Sequence, residues 1–381
     1  MIPYGRQEIS DADVEAVLTV LRSDFLTQGP SVPAFEKSVA TACSAAHAVA
    51  VNSATSALHI ACMALDLGPG DWLWTVPNTF VASANVGLYC GADVSFVDVD
   101  PQTYMMCPDA LAEKLEIAEK AGTLPKVLIP VHFAGQSAAM DRIGALAQQY
   151  GIRVIEDASH AIGASYLGAP VGNCAFSDIT VFSFHPVKIV TTAEGGVATT
   201  QDAELARKME LFRSHGVTRD PASMTGEPLD GPWAYEQVTL GYNYRMTELQ
   251  AALGVTQMTR LEEFVERRNI LARRYETLLA QVPVTLPFQS RDSYSALHLY
   301  PIQVANRAEV FERLRAAGIG VNVHYIPVHT QPFWRARGFD WGDYPVAENY
   351  YKNAISIPLY FGLSFDEQDQ VVASLLEAID V

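Results

Sequence analysis

Apolar positions along the chain follow two alternating periods. From Ser56 to Gly68 (SALHIACMALDLG) they recur at helical spacing and stop at a glycine followed by Pro69. Asp71 to Pro77 (DWLWTVP) reads as a strand, TFVASANVGLYCG (Thr79 to Gly91) as a helix, and ADVSFVDVD (Ala92 to Asp100) as an alternating strand. After a turn at Pro101, LAEKLEIAEKAG (Leu111 to Gly122) predicts a helix and KVLIPVHF (Lys126 to Phe133) a buried strand. MDRIGALAQQYG (Met140 to Gly151) predicts the next helix; IRVIEDAS (Ile152 to Ser159) and ITVFSF (Ile179 to Phe184) predict strands. Strands alternating with helices predict an α/β fold, a mostly parallel central sheet with helices on both faces. Its site belongs at the C-terminal ends of the strands. After about Ala251 the texture changes. A long charged helix (TRLEEFVERRNILARRYETLLAQV), a strand (HLYPIQV, His298 to Val304), the helix ERLRAAGIG, the segment VNVHYIPVH and a final helix, DEQDQVVASLLEAI, predict a smaller C-terminal α+β domain. The expected division is 1–255 and 256–381, with the N-terminal segment free to pack on the small domain.

Composition narrows the class. The chain has 381 residues, 49% of them hydrophobic and 18% charged, which suits a large globular core. A net charge of −17 opposes binding to nucleic acid or to an anionic membrane surface. An anionic substrate therefore needs a local cationic pocket. Met1 leads into Pro3, Arg6 and Glu8 without an apolar leader pattern, and no apolar run reaches membrane-spanning length. The five cysteines, Cys43, Cys62, Cys90, Cys107 and Cys174, are scattered and form no C-x-x-C pair. They read as reduced thiols of a cytoplasmic protein, not as a disulfide frame or a metal site.

The candidate chemistry centres on SFHPVKIVTTAEGG (Ser183 to Gly196). Lys188 follows a buried strand, where an unpaired ammonium is costly. Either it reaches solvent, or the site uses an amine of lowered pKa. Asp157 ends another strand, where an aspartate also serves as a helix cap. An amine and a carboxylate converging in one cleft suit pyridoxal 5'-phosphate: the amine condenses with the aldehyde, and the carboxylate keeps the ring nitrogen protonated. NSATSALHIA (Asn52 to Ala61) opens polar and becomes a helix. Ser53 or Thr55 can cap it, and its first amides can take a phosphate. Phe80 can stack on a flat ring or belong to the core. Ser183 offers a hydroxyl near the same phosphate or bonds to backbone. Glu194 anchors the lysine turn if Gly195 and Gly196 take φ > 0.

The chain resembles the DegT/DnrJ/EryC1/StrS family of sugar aminotransferases, fold-type I pyridoxal-phosphate enzymes. SDFLTQGPSVPAFE (Ser23 to Glu36), NSATSAL, EDASHAIGASY, SFHPVKIVTTAEGG, LFRSHG (Leu211 to Gly216), GYNYRMTELQAALG (Gly241 to Gly254) and VHYIPVH carry the resemblance in order, nearly end to end. It implies Lys188 as the covalent anchor and proton shuttle, Asp157 as the ring-nitrogen partner, and Phe80 stacked on the ring. It also implies Ala54, Thr55 and Ser183 at the phosphate and His160 near the ring oxygen. Asn243 would reach the partner subunit's phosphate across a homodimer with shared active sites. Some members carry His in place of this lysine and dehydrate sugars; Lys188 favours transamination.

The implied amino donor is glutamate, and the acceptor is a nucleotide-linked keto-sugar. The stretch GPWAYEQVTLGYNYRM (Gly231 to Met246), with the lysine motif, is most similar to members of the pseudaminic acid pathway, which aminate C4 of a UDP-linked 2-acetamido-2,6-dideoxy-4-ketohexose. Candidates for contact with substrate are His185, Arg213, His215, Arg245, His324 and Tyr325. Each also has a plain structural role open to it: turn-shaping for His185, packing for Tyr325, and surface or satisfied positions for the rest. Two alternatives stand beside this reading, amination of a dTDP or GDP sugar at C3 or C4, and a non-catalytic regulator on the same fold.

Overall fold

A computed structural model describes residues 1–379 except 225, 227–230 and 232. Pro232, inside the Gly231–Met246 stretch, and the last two residues of the expected small domain lie outside the described residues. The strands of the first half are β1 (His47–Val51), β2 (Trp72–Thr75), β3 (Asp93–Phe96), β4 (Val127–Leu128), β5 (Arg153–Asp157), a short hairpin β6 (Ser165–Tyr166) and β7 (Ala169–Pro170), β8 (Ile179–Ser183) and β9 (Gly196–Thr200). Seven of them form one sheet in the order β1-β9-β8-β5-β4-β2-β3. The pairs β2–β3, β2–β4, β4–β5 and β5–β8 are parallel; β9 runs antiparallel to both its neighbours, β8 and β1.

The helices are α1 (Asp11–Leu21), α2 (Ser31–Cys43), α3 (Ala54–Ala64), α4 (Ala82–Tyr89), α5 (Pro108–Ala121), α6 (Met140–Tyr150), α7 (Ala203–Arg213), α8 (Glu248–Met258), α9 (Leu261–Leu278) and α10 (Arg307–Ala316). Alternate strand residues point to opposite faces, and both faces are covered. Leu73, Ile155, Val181 and Ala198 pack with α3, α4 and α7. Trp74 and Val154 pack with α5 and α6, and Phe182 and Val197 with α2 and α8. One expectation fails locally. The strand read over Lys126 to Phe133 pairs in a ladder only at Val127–Leu128, with a single further bridge from Val131 to Asp157. Pro130 has no N–H to give the ladder, yet its carbonyl accepts from Asp157 N at 2.9 Å.

A second core gathers Leu271, Ala272 and Tyr275 of α9 with Tyr300, Ile302, Leu314, Ile355, Ile357, Val371 and Leu375; Ile2 of the N-terminal segment joins it. Phe264 and Val265, earlier in α9, belong to the sheet's core instead, so the change of core falls inside α9. Later segments reach back: Val328 and Trp334 enter the core under α3, and Leu299 and Tyr350 enter the one under α5.

Arg268 ties the two parts together. It is 2% exposed, and its Nη1 donates to the carbonyls of Leu297 (3.2 Å), His298 (3.2 Å) and Leu359 (3.0 Å). Burial pulls its guanidinium pKa down to about 10. Arg268→Met would leave three buried carbonyls without this donor, so we expect a loss of about 2–3 kcal/mol. The measurement is the urea unfolding midpoint, which should fall; an unchanged midpoint would refute the expectation.

Candidate active site

The strand ends place the chemistry. Asp157 closes β5 and Ser183 closes β8, adjacent parallel strands in register at Asp157 and Val181. The chain then makes a closed loop that carries Lys188. Phe184 N donates to Gly195 O (3.0 Å), Thr192 N to Phe184 O (2.9 Å), and Lys188 N to His185 O (2.9 Å). The Glu194 carbonyl receives Gln250 Nε2 and Thr192 Oγ1, each at 2.8 Å. The left-handed residue of this turn is Ala193 (φ 64°), and neither Gly195 nor Gly196 has positive φ. The glycines are needed for space instead. A Cβ on Gly195 would lie 2.1 Å from Thr192 Oγ1, and one on Gly196 would lie 2.5 Å from Ala54 N and from the Ser53 carbonyl.

A cavity of about 1020 Å³ opens over these strand ends. Ala54, Thr55, Phe80, Asp157, His160, Ser183, His185, Lys188, His324 and Tyr325 all line it. Arg213, His215, Arg245 and Asn243 are not brought to it. Arg213 is committed to Glu36 Oε1 (2.5 Å) and the Ala50 carbonyl (2.8 Å). His215 is exposed with φ 63°. Arg245 bridges to Val51, and Asn243 is exposed beside its bridge to Ser214.

Asp157 is buried but not acting as a helix cap. Its Oδ2 accepts from Ser83 Oγ (2.7 Å) and its Oδ1 from Ser159 Oγ (2.6 Å) and Ser159 N (3.1 Å). Three donors fix the carboxylate in place. Lys188 is partly accessible from the cavity, yet the surrounding protein brings its pKa down to about 8, with desolvation outweighing the opposing pull of Asp157. No hydrogen bond or ion pair holds its Nζ among the described residues.

At the other end, Ser53, not Thr55, caps α3 and accepts from Ser56 N at 3.1 Å. The next amides, Ala54 and Thr55, have no carbonyl in a preceding turn to take them. Phe80 is 60% exposed, so it is not a core residue.

Histidines make the far wall. His160 Nδ1 accepts from Ala134 N at 3.2 Å, which puts the proton of the neutral ring on Nε2, where Tyr325 Oη lies at 3.0 Å. Burial, followed by the charge of Lys188, holds His160 well below the usual imidazole range. Tyr325 is held above the usual phenol range, mainly by burial. His324 Nδ1 lies 2.8 Å from Ser356 Oγ, and burial brings its pKa to about 3. Sequence reasoning missed Ser83, Ser159 and His298. Ser159, two residues after Asp157, carried a local turn signal; the other two are far from Asp157 in sequence.

The residues fit pyridoxal 5'-phosphate. The N-terminus of α3 forms an anion cradle that a side chain on Gly196 would fill, a free aromatic face stands at Phe80, and the unbonded amine shares the cavity with a fixed carboxylate. The sheet order and this donor set define a fold-type I pyridoxal-phosphate transferase.

The comparisons agree. The DegT/DnrJ/EryC1/StrS aminotransferase family model matches residues 7–376. The spore coat polysaccharide biosynthesis protein SpsC of Bacillus subtilis is 40% identical, over 99% of this chain and 97% of that protein. The UDP-4-amino-4,6-dideoxy-N-acetyl-beta-L-altrosamine transaminase of Campylobacter jejuni is 35% identical, over 100% of this chain and 98% of that one. The solved putative sugar aminotransferase Spr1654 of Streptococcus pneumoniae, in its PMP form, superposes with a TM-score of 0.92 at 31% identity, covering 100% of this chain and 99% of that one. The chain belongs to the DegT/DnrJ/EryC1/StrS aminotransferase family. It is a pyridoxal-phosphate-dependent sugar aminotransferase.

Only the free amine of a lysine attacks an aldehyde, and Lys188 is the candidate for that step. Below a pKa of about 8 it is mostly ammonium and above it mostly amine. Capture of pyridoxal phosphate by the apoprotein should therefore speed up as pH rises through that midpoint and then level off. Stopped-flow absorbance measures this, and a profile flat across the midpoint would contradict the assignment.

Proposed function

We propose that the enzyme transfers an amino group from glutamate to C4 of a UDP-linked 2-acetamido-2,6-dideoxy-4-ketohexose, a step of the pseudaminic acid pathway. The observation that carries the reaction class is the cavity that joins Lys188, of lowered pKa, to the triply bonded Asp157. Support for the substrate comes from the Campylobacter relative, whose name describes the product of such an amination. A second reading, another nucleotide-linked keto-sugar (dTDP or GDP, at C3 or C4), is favoured by the higher identity to SpsC, a protein of spore coat polysaccharide biosynthesis.

When bound, pyridoxal phosphate supplies an aldehyde that carries the amino group and a ring that withdraws electrons. The chain does the rest. The first-turn amides at Ala54 and Thr55, with Ser183, hold the phosphate. Asp157 would partner the protonated ring nitrogen, and Ser83 and Ser159 hold Asp157 in place. Phe80 covers one ring face. Lys188 anchors the cofactor and, once freed, takes the proton from the donor carbon that bears nitrogen and returns one at the sugar carbon. His160 and Tyr325 stand as a bonded pair on the wall.

We infer that two chains share each site, in a homodimer. Among the described residues no arginine lines the cavity of one chain, whereas a UDP diphosphate and a dicarboxylate donor both need positive groups. Asn243 is exposed and outside its own cavity, as a group reaching a neighbour must be. The net charge of −17 is consistent with no nucleic-acid partner. Among the described residues no helix is long and apolar enough to cross a membrane, and no cluster of His, Cys, Asp and Glu could hold a metal ion. All five cysteines are free. We place the enzyme in the cytoplasm, where unpaired thiols persist.

Substrate choice is tested with glutamate and a panel of 3-keto and 4-keto UDP, dTDP and GDP sugars, with products read by mass and NMR. We expect the UDP-linked 2-acetamido-4-keto sugar to be aminated fastest, at C4; preference for another acceptor would establish the second reading. Site sharing is tested by subunit exchange. Lys188→Ala and Asn243→Ala chains should each be severely impaired alone. Mixed dimers should regain activity, because one of their two sites carries neither lesion. No recovery in dimers shown to be mixed would place Asn243 in its own chain's site.

A further inference from the structure

The turn after β2 carries two buried hydroxyls, and the reaction above uses only one of them, Ser83. The other is Thr79. Both line the cavity, and both are buried, at 3% exposure for Thr79 and 1% for Ser83. Thr79 Oγ1 lies 2.9 Å from Ser83 Oγ, and Ser83 Oγ lies 2.7 Å from Asp157 Oδ2. Among the described residues Ser83 is the one donor to Oδ2, because Ser159 serves Oδ1. Three buried groups therefore form a single line of hydrogen bonds that ends on the carboxylate.

The proton count gives that line a direction. A hydroxyl has one proton to donate and two lone pairs to accept with. The Ser83 proton goes to Asp157 Oδ2 at 2.7 Å; the other acceptor in reach, the Phe80 carbonyl, is 3.5 Å away. Ser83 then has no proton left for Thr79, so Thr79 donates and Ser83 Oγ accepts. The opposite direction, Ser83 donating to Thr79, would close the pair on itself and leave Oδ2 without the serine proton. Thr79 Oγ1 has no other hydrogen-bond partner among the described residues. Its backbone is held at both sides. Thr79 N donates to the Pro77 carbonyl at 3.1 Å, and the preceding Asn78 donates to the Tyr104 carbonyl at 3.1 Å and accepts from Tyr325 N at 3.3 Å. Hydrogen bonds in such a line polarise one another, each donor strengthening the next.

We propose that Thr79 is a positioning residue for Asp157, acting through Ser83: its hydroxyl donates to Ser83 Oγ, which commits the Ser83 proton to the carboxylate and strengthens that bond. The proposal rests on the reading of Asp157 as partner of the cofactor's ring nitrogen. It also fixes a direction of effect. Without the Thr79 hydroxyl the Ser83 bond to Asp157 weakens. A carboxylate with a weaker donor is more basic, so it competes harder for the proton on the ring nitrogen.

Two measurements test it. Neutron diffraction from crystals of the wild-type apoprotein reads the direction of the line without any substitution. The Thr79 proton should point at Ser83 and the Ser83 proton at Asp157; a Ser83 proton pointing at Thr79 overturns the proposal. The second measurement is ¹⁵N NMR of holoenzyme loaded with ring-labelled pyridoxal phosphate. In Thr79→Val, which keeps the branched shape and loses the hydroxyl, the ring-nitrogen resonance should move toward its unprotonated position. The movement should be about a tenth to a third of that in Ser83→Ala. Thr79→Ser, which keeps the donor, should match the wild type. In a Ser83→Ala background Thr79→Val should add nothing, because its effect passes through the serine. An unmoved resonance in Thr79→Val overturns the proposal. So does an equal movement with and without Ser83, or a movement in Thr79→Ser as large as in Thr79→Val. Asp157→Asn tests the underlying reading separately. If it leaves the resonance at its wild-type position, Asp157 is not the ring-nitrogen partner, and the neutron result still decides the line from Thr79 to Asp157.

Discussion

The site depends on one constraint: an amine and a carboxylate must share one cavity without neutralising each other's function. Paired tightly, Lys188 and Asp157 would form an ion pair, and the amine would stay charged and unreactive. Desolvation pulls Lys188 down to about 8 against the pull of Asp157. The protein keeps the carboxylate occupied with Ser83 and Ser159 instead. Adjacent strands β5 and β8 supply the spacing, because parallel neighbours in register deliver their C-terminal ends to one side of the sheet.

The same constraint explains the histidine wall. Lysines or arginines there would hold Lys188 deprotonated, but they would also bring new charges to be paid for by burial. Histidines that cannot ionise offer polar edges with no net charge. His160, His298 and His324 are all kept neutral, each chiefly by burial and each with Lys188 as a contributing charge. Their placement needs the second core, because His298 and His324 come from segments beyond α9 while His160 follows β5. Arg268 fixes that junction through the carbonyls of Leu297, His298 and Leu359. Stability of the junction and geometry of the site are therefore one property.

Much of this was legible in the sequence. Long segments with a clear period, such as α5, α6 and β5, fall where the pattern puts them, because a buried face repeats over several turns or pleats. The strand over Lys126 to Phe133 was overread because apolarity outlasts pairing: Ile129 to Val131 are buried while Pro130 breaks the ladder. Gly195 and Gly196 were expected to take φ > 0, which they do not; what excludes a side chain there is contact with Thr192 and Ser53, which no local pattern displays. His298 was hidden for a similar reason. Within HLYPIQV it reads as the start of a core strand, and only the fold brings its ring to His160. Lys188, Asp157 and the α3 cap were visible because each sits where an apolar element gives way to a polar end.

The distribution of charge constrains the substrate end. A chain of net charge −17 offers its cavity, among the described residues, one lysine or arginine, Lys188, which the proposed function assigns to the cofactor. The phosphate can be held by first-turn amides of α3, whose dipole supplies fractional positive charge at no cost in net charge. The arginines that could serve a nucleotide-sugar diphosphate are already engaged, Arg213 with Glu36, or stand outside the cavity, as Arg245 does. Under the proposed shared site, positive groups for the substrate would come from the second chain, and affinity for an anionic substrate would depend on the second subunit.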